Sequence, residues 1–147
     1  MRPAHVSLVT LGVADLARAE AFYTALGWRR SDASVDGVVS FMRGGPMVLS
    51  LWGRDELAGD AGLAAGGLAA GPGPTALACN LPDEASVDAA IAAAAEAGGR
   101  VTRPAVRADW GGYSGYVADP DGHLWEFAHN PGFPLRPDGS IRLPDEG

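Results

Sequence analysis

The sequence predicts an α+β fold built from two βαβββ modules with mixed β-sheets, and three observations carry that reading. A strand-like run followed by a helix that stops at glycine occurs twice, over 5–27 and 75–99. After each helix come short extended segments separated by Gly- and Pro-containing turns. Between the two copies, 58–74 is dominated by Ala, Gly, Leu and Pro, the composition of a flexible connection.

The elements follow in chain order. Residues 5–11 (HVSLVTL) read as a strand rich in β-branched and apolar side chains. Asp15 then caps a helix in which Leu16, Ala19, Phe22, Tyr23 and Leu26 recur at helical spacing, and Gly27 supplies a left-handed stop. Extended segments are expected at 28–31, 38–43 and 47–52, divided by Asp36-Gly37 and Gly44-Gly45-Pro46. In the second copy, 75–81 is an apolar strand. The 83–86 stretch caps a helix carrying Val87, Ala90, Ile91 and Ala94 on one face, and Gly98-Gly99 ends it. Short strands are expected at 100–102, 114–118 and 123–129, the last two joined by Asp119-Pro120-Asp121-Gly122, a strong turn signal. The organisation is thus one domain over 1–147: a first module at 4–57, the linker at 58–74, a second module at 75–131 and a Pro- and Gly-rich arm at 132–147. Neither module alone covers its own sheet, which is the physical point of the repeat.

Composition excludes several classes. The chain has 147 residues, enough for a core of ordinary size, with 47% hydrophobic and 20% charged residues. Its apolar runs fall well short of the ~20 residues a membrane-spanning helix needs, and no secretory leader is expected at the N-terminus. A net charge of −7 repels phosphate backbones, so nucleic acid is not an expected partner. Solubility accounts for that charge most simply, and a cationic ligand is the alternative. The single cysteine, Cys79, permits no intrachain disulfide and fits a reducing cytoplasm. There is no G-x-S-x-G, no phosphate-binding glycine loop and no H-E-x-x-H.

Two stretches, HVSLVTLGVADLARAEAFYTALGW at the start and GYVADPDGHLWEFAHNP near the end, resemble the glyoxalase / bleomycin-resistance / extradiol-dioxygenase (vicinal oxygen chelate) superfamily over about 4–131. The resemblance implies two modules whose curved sheets form a cup around a small-molecule ligand, often completed by a second subunit, so a homodimer is expected. It also implies that metal-dependent relatives hold a divalent ion, such as zinc, nickel, manganese or iron, with one side chain from the first and last strand of each module. Carried across, those positions match His5 and Glu126, while Ser50 and Ala76 stand where two further ligands would be. Two protein ligands fall below the three usual at a catalytic zinc site.

Glu126 is the most informative residue, a carboxylate alternating with apolar neighbours in Leu124-Trp125-Glu126-Phe127-Ala128. It reads as a metal ligand, a general base or the counter-ion of a cation. Trp52, Trp110, Tyr113 and Tyr116, with Ser50, are the candidate ligand-lining residues, since flat aromatic faces stack on planar or cationic groups. His123 and His129 read as solvent or interface residues. Two functions stay open: a binding protein that sequesters an antibiotic-like compound in an acidic, aromatic-lined cup, and a metal-dependent lyase, isomerase or dioxygenase of the glyoxalase type. A metal-free enzyme using Glu126 as base is the third.

Overall fold

The computed structural model describes residues 4–146. Its elements run β1 (Val9–Val13), α1 (Leu16–Ala25), β2 (Arg29–Arg30), β3 (Val39–Gly44), β4 (Met47–Gly53), α2 (Arg54–Asp60), β5 (Ala76–Asn80), α3 (Glu84–Glu96), β6 (Arg100–Arg107), β7 (Tyr113–Ala118) and β8 (Leu124–His129). The β-α-β-β-β order therefore occurs twice. Two compact units divide between Ala69 and Ala70, and each contains one four-stranded, open, curved sheet.

In the first unit the strand order is β1-β4-β3-β2, with β1 parallel to β4 and the other pairs antiparallel. A parallel pair needs a long crossover, and α1 is part of it. Asp15 accepts from the Arg18 amide at 3.0 Å to open α1, and Gly27 follows its end at a φ of +96°. Ala19, Phe22 and Tyr23 pack inward with Leu11, Met42, Leu49 and Leu51, all buried. Tyr23 meets Phe22 and Trp28 edge-on at 5.0 and 6.3 Å. A side chain at Gly44 would lie 2.6 Å from the Trp28 ring, so the Phe-Tyr…Leu-Gly-Trp signature is a packing device.

The second unit repeats the topology as β5-β8-β7-β6, with β5 parallel to β8. Asp83 accepts from the Ser86 amide at 2.7 Å and opens α3, which buries Val87 and Ala94. In the β7–β8 turn, Asp119 Oδ1 accepts from the amides of Asp121 and His123 at 2.9 and 2.8 Å, and Gly122 has φ +89°. The Gly71 amide donates to the Asp121 carbonyl at 3.0 Å, fastening the end of the connecting segment to this turn.

Four boundaries differ from the sequence reading. The first strand begins at Val9, where pairing with Leu49 starts, four residues beyond His5. The connection is not featureless: α2 occupies 54–60, with Asp55 and Glu56 in a first turn that favours acidic groups and Ala58 fully buried. One turn with a single buried alanine leaves little periodicity to read. β6 extends to Arg107 through Pro104, which an edge strand tolerates because its outward amide has no ladder partner; the register shifts on both sides of Arg103 mark the irregularity. The C-terminal arm is partly ordered, with an antiparallel bridge between Leu135 and Ile141.

Removing the α3 cap by Asp83→Ala is expected to cost about 1 kcal/mol in urea unfolding. Gly115→Val should cost more, about 1–3 kcal/mol, because a Cβ there would lie 2.5 Å from Ile91 Cδ1 and 2.9 Å from the Ala105 amide nitrogen.

Candidate functional site

Strand alternation and α3 together sort the second unit's side chains onto two faces. Gly115 lies against Ile91 of α3, so Gly115 and Val117, with their register partners Phe127 and Trp125, face the helix. The intervening residues Ser114, Tyr116, Glu126 and Ala128 face away from it. Glu126 lies opposite Ala78 on one side and Tyr116 on the other. Arg103, the register partner of Tyr116 on β6, completes a polar cluster on that face.

The cluster is held by its own contacts. The Tyr116 hydroxyl donates to Glu126 Oε2 at 3.1 Å. Arg103 Nη2 donates to the Ser114 carbonyl and hydroxyl at 2.9 and 2.8 Å, and its guanidinium carbon lies 5.1 Å from the Tyr116 ring centroid. Burial, then the charge of Glu126 and its hydrogen bond, push the Tyr116 phenol up, with Arg103 opposing. The tyrosine thus stays a proton donor to the carboxylate across the neutral range.

Of the expected residues, Tyr116 and Glu126 meet in a hydrogen bond. Tyr113 faces α3, where its hydroxyl donates to Asp88 Oδ1 at 2.6 Å. Trp110 sits at the tip of the β6–β7 hairpin, 69% exposed, with its ring over Gly112. Neither shares the face of Glu126. His5 is exposed and lies ahead of β1. Ala76 is opposite Leu124, so the strand residue in line with Glu126 is Ala78; neither offers a donor. Cys79, opposite Phe127, is on the helix side, and burial pushes its thiol up.

In the first unit, the Ser40 hydroxyl donates to Glu20 of α1 at 2.5 Å, which puts Ser40 and Leu51 on the helix side. Ser50 and Trp52 therefore face away from α1. Ser50 is 5% exposed, opposite Thr10 and Phe41. Trp52 lines a groove of about 650 Å³ with Val13, Val38, Arg54, Asp55 and Glu56.

Arg103 and Ser114 are the site residues that the sequence reading missed. The signal was present in Arg100-Val101-Thr102-Arg103, but Pro104 closes the strand for any reader of propensities. Among the described residues, no group of three or more His, Cys, Asp or Glu side chains is arranged to hold a metal ion. Among them, too, no helix is long and apolar enough to cross a membrane.

The family model for the Glyoxalase/Bleomycin resistance protein/Dioxygenase superfamily matches residues 2–127. Among solved structures, a glyoxalase-related enzyme from Fulvimarina pelagi is 37% identical, with a TM-score of 0.85 over 95% of this chain and 97% of its own. A lactoylglutathione lyase from Agrobacterium tumefaciens is 27% identical, with a TM-score of 0.68 over 88% and 96%. A fosfomycin resistance protein from Mesorhizobium loti shares the fold at 19% identity, with a TM-score of 0.65 over 88% and 94%. No curated protein gives a significant match.

The raised Tyr116 phenol carries a sign for stability. A folded-state pKa above the unfolded value of 10.0 favours the protonated fold, so this contribution is present below about pH 10 and is lost as pH rises through the folded value. Following tyrosinate absorbance against pH, Glu126→Gln should shift the Tyr116 step of the titration downward. An unchanged titration curve would mean that the Tyr116–Glu126 contact does not persist in solution.

Proposed function

Because the chain belongs to the glyoxalase/bleomycin resistance protein/dioxygenase superfamily, we propose that it is a small-molecule-binding member of that superfamily. Its organic ligand is held on the face of the second unit turned away from α3, with Glu126 as the polar anchor. Tyr116 is the positioning residue that fixes the carboxylate. The observation that carries this reading is a half-buried carboxylate on a strand face, tethered by one tyrosine, with alanine rather than a metal donor opposite.

The donor set does not fit a resident divalent ion. A catalytic zinc is ordinarily held by three protein ligands, and imidazole or thiolate supplies most of them. Glu126 has Ala78 and Tyr116 beside it, and the Cys79 thiol lies on the opposite face. Ser50, on the equivalent strand of the first unit, brings a hydroxyl with Thr10 and Phe41 as neighbours. What these residues do supply is a carboxylate able to accept a hydrogen bond or an ion pair and a phenol able to donate.

The ligand environment is less acidic than the net charge of −7 suggests, since the Arg103 guanidinium lies over the same tyrosine that Glu126 holds. An antibiotic-like compound sequestered here would meet both signs of charge. A second reading, a metal-dependent lyase, isomerase or dioxygenase acting on vicinal oxygens, draws its support from the 37% identity to a glyoxalase-related enzyme.

Elemental analysis of gently purified protein, paired with thermal melts after chelation and re-addition of zinc, nickel, manganese or iron(II), separates the two. The binding-protein reading expects no stoichiometric ion and no change in melting temperature. About one ion per chain, lost together with thermal stability in Glu126→Gln, would sink it and establish the metal-dependent reading in its place.

A further inference from the structure

We propose that the ligand of this site is amphoteric: a small molecule with an acidic oxygen group for Arg103 and, on the same skeleton, an ammonium or hydroxyl group for Glu126. The proposal rests on the reading that the face turned away from α3 is the ligand site, and it gives that site a second, cationic pole.

Arg103 is the group that demands it. It sits half-buried on β6, and its fork is fixed by two bonds from Nη2 to Ser114 and by the face of Tyr116. Nε is buried without a partner, while Nη1 bonds nothing among the described residues and is not sealed from solvent. Glu126 is the mirror case. Oε2 is taken by Tyr116, and Oε1 has no partner among the described residues and is not sealed from solvent. A donor nitrogen and an acceptor oxygen are thus both accessible on one sheet face, with a tyrosine linking them. The floor around them is low, since Ala78 is opposite Glu126 and Ala128 is opposite Ser114.

Selectivity follows from desolvation. A ligand that settles on this face strips water from both charged groups, and a charged group left dry without a partner is costly. A purely cationic ligand repairs Glu126 and leaves Arg103 unanswered, and a purely anionic one does the reverse. Only a molecule with both functions replaces the lost water at each pole. Arg103 suits the oxygen end because its guanidinium is a permanent cation held in a fixed plane, with Nη1 left to donate to a carboxylate-like oxygen.

Three probes that share a phenyl ring and a short chain test this by calorimetric titration: L-phenylalanine, phenethylamine and 3-phenylpropionate. The zwitterion is expected to bind about tenfold more tightly than either singly charged probe. Arg103→Met should weaken L-phenylalanine and 3-phenylpropionate about tenfold and spare the amine, and Glu126→Gln should weaken L-phenylalanine and phenethylamine and spare the acid. Arg103→Lys, which keeps the charge, serves in its place if Arg103→Met fails to fold, and should lose less. Equal binding of all three probes, abolished by Glu126→Gln, would overturn the amphoteric class and leave the ligand site standing. Absence of binding by every probe, or binding that neither substitution alters, would overturn both.

Discussion

The parallel pairing of each unit's first strand with its last, β1 with β4 and β5 with β8, is the constraint from which the rest follows. Antiparallel neighbours can be joined by a two-residue turn, but a parallel pair obliges the chain to cross over before it returns. In each unit that crossover contains the amphipathic helix, which packs against one face of the sheet. The core is therefore one-sided. Leu49, Leu51 and Met42 in the first unit, and Val117, Trp125 and Phe127 in the second, fill the helix side. Period-two alternation then fixes what the other side carries, and a slip of one residue would exchange Glu126 for Trp125 or Phe127. Register is what sets the Glu126 carboxylate on the face away from α3.

The polar cluster is stable on that face because its members satisfy one another in series. Tyr116 answers one oxygen of Glu126, its ring receives the Arg103 guanidinium, and Ser114 accepts from Nη2. Each of these groups alone on a sheet face would have to be hydrated or shed its charge. Together they keep one carboxylate and one guanidinium at close quarters while leaving an atom of each accessible. The edge position of β6 contributes as well. The register shifts flanking Arg103 let its side chain swing over Tyr116 rather than stand in a regular ladder.

Much of the fold was legible because its signals are local. Asp15 and Asp83 as caps, Gly27 and Gly98 at positive φ, and the Asp119-Pro120-Asp121-Gly122 turn are set by backbone chemistry within a few residues. The face of Glu126 was legible for a related reason, since period-two alternation sets it with Leu124 and Ala128 and apart from Trp125 and Phe127. Features that depend on pairing between distant segments were not legible. Nothing in 100–107 announces that Arg103 lies beside Tyr116, because a bulged strand containing Pro104 violates the propensity that would have extended it. Nothing near His5 reveals that pairing begins only at Val9. Tyr113 and Tyr116 look equivalent in a glycine-rich run, yet they differ in parity along β7 and so bond to Asp88 and Glu126 on opposite faces.

That parity also explains why the family motifs are strong evidence of fold and weak evidence of chemistry. The Phe-Tyr…Leu-Gly-Trp segment is consumed by packing: Phe22 and Tyr23 are buried, Gly27 turns the chain, and Trp28 closes over Gly44. The Asp-Pro-Asp-Gly segment is consumed by its turn, with Asp119 bonded to two backbone amides. Of the motif's polar side chains, the glutamate four residues beyond that turn lies on the sheet face away from α3. Its neighbours there are Ala78, Tyr116 and, across Tyr116, Arg103. A chain can keep every structural letter of the signature while the face beside Glu126 changes freely, because those side chains carry little of the core. The residues beside Glu126 are therefore ones the motif does not contain, and in this chain they are a tyrosine and a guanidinium rather than imidazole or carboxylate.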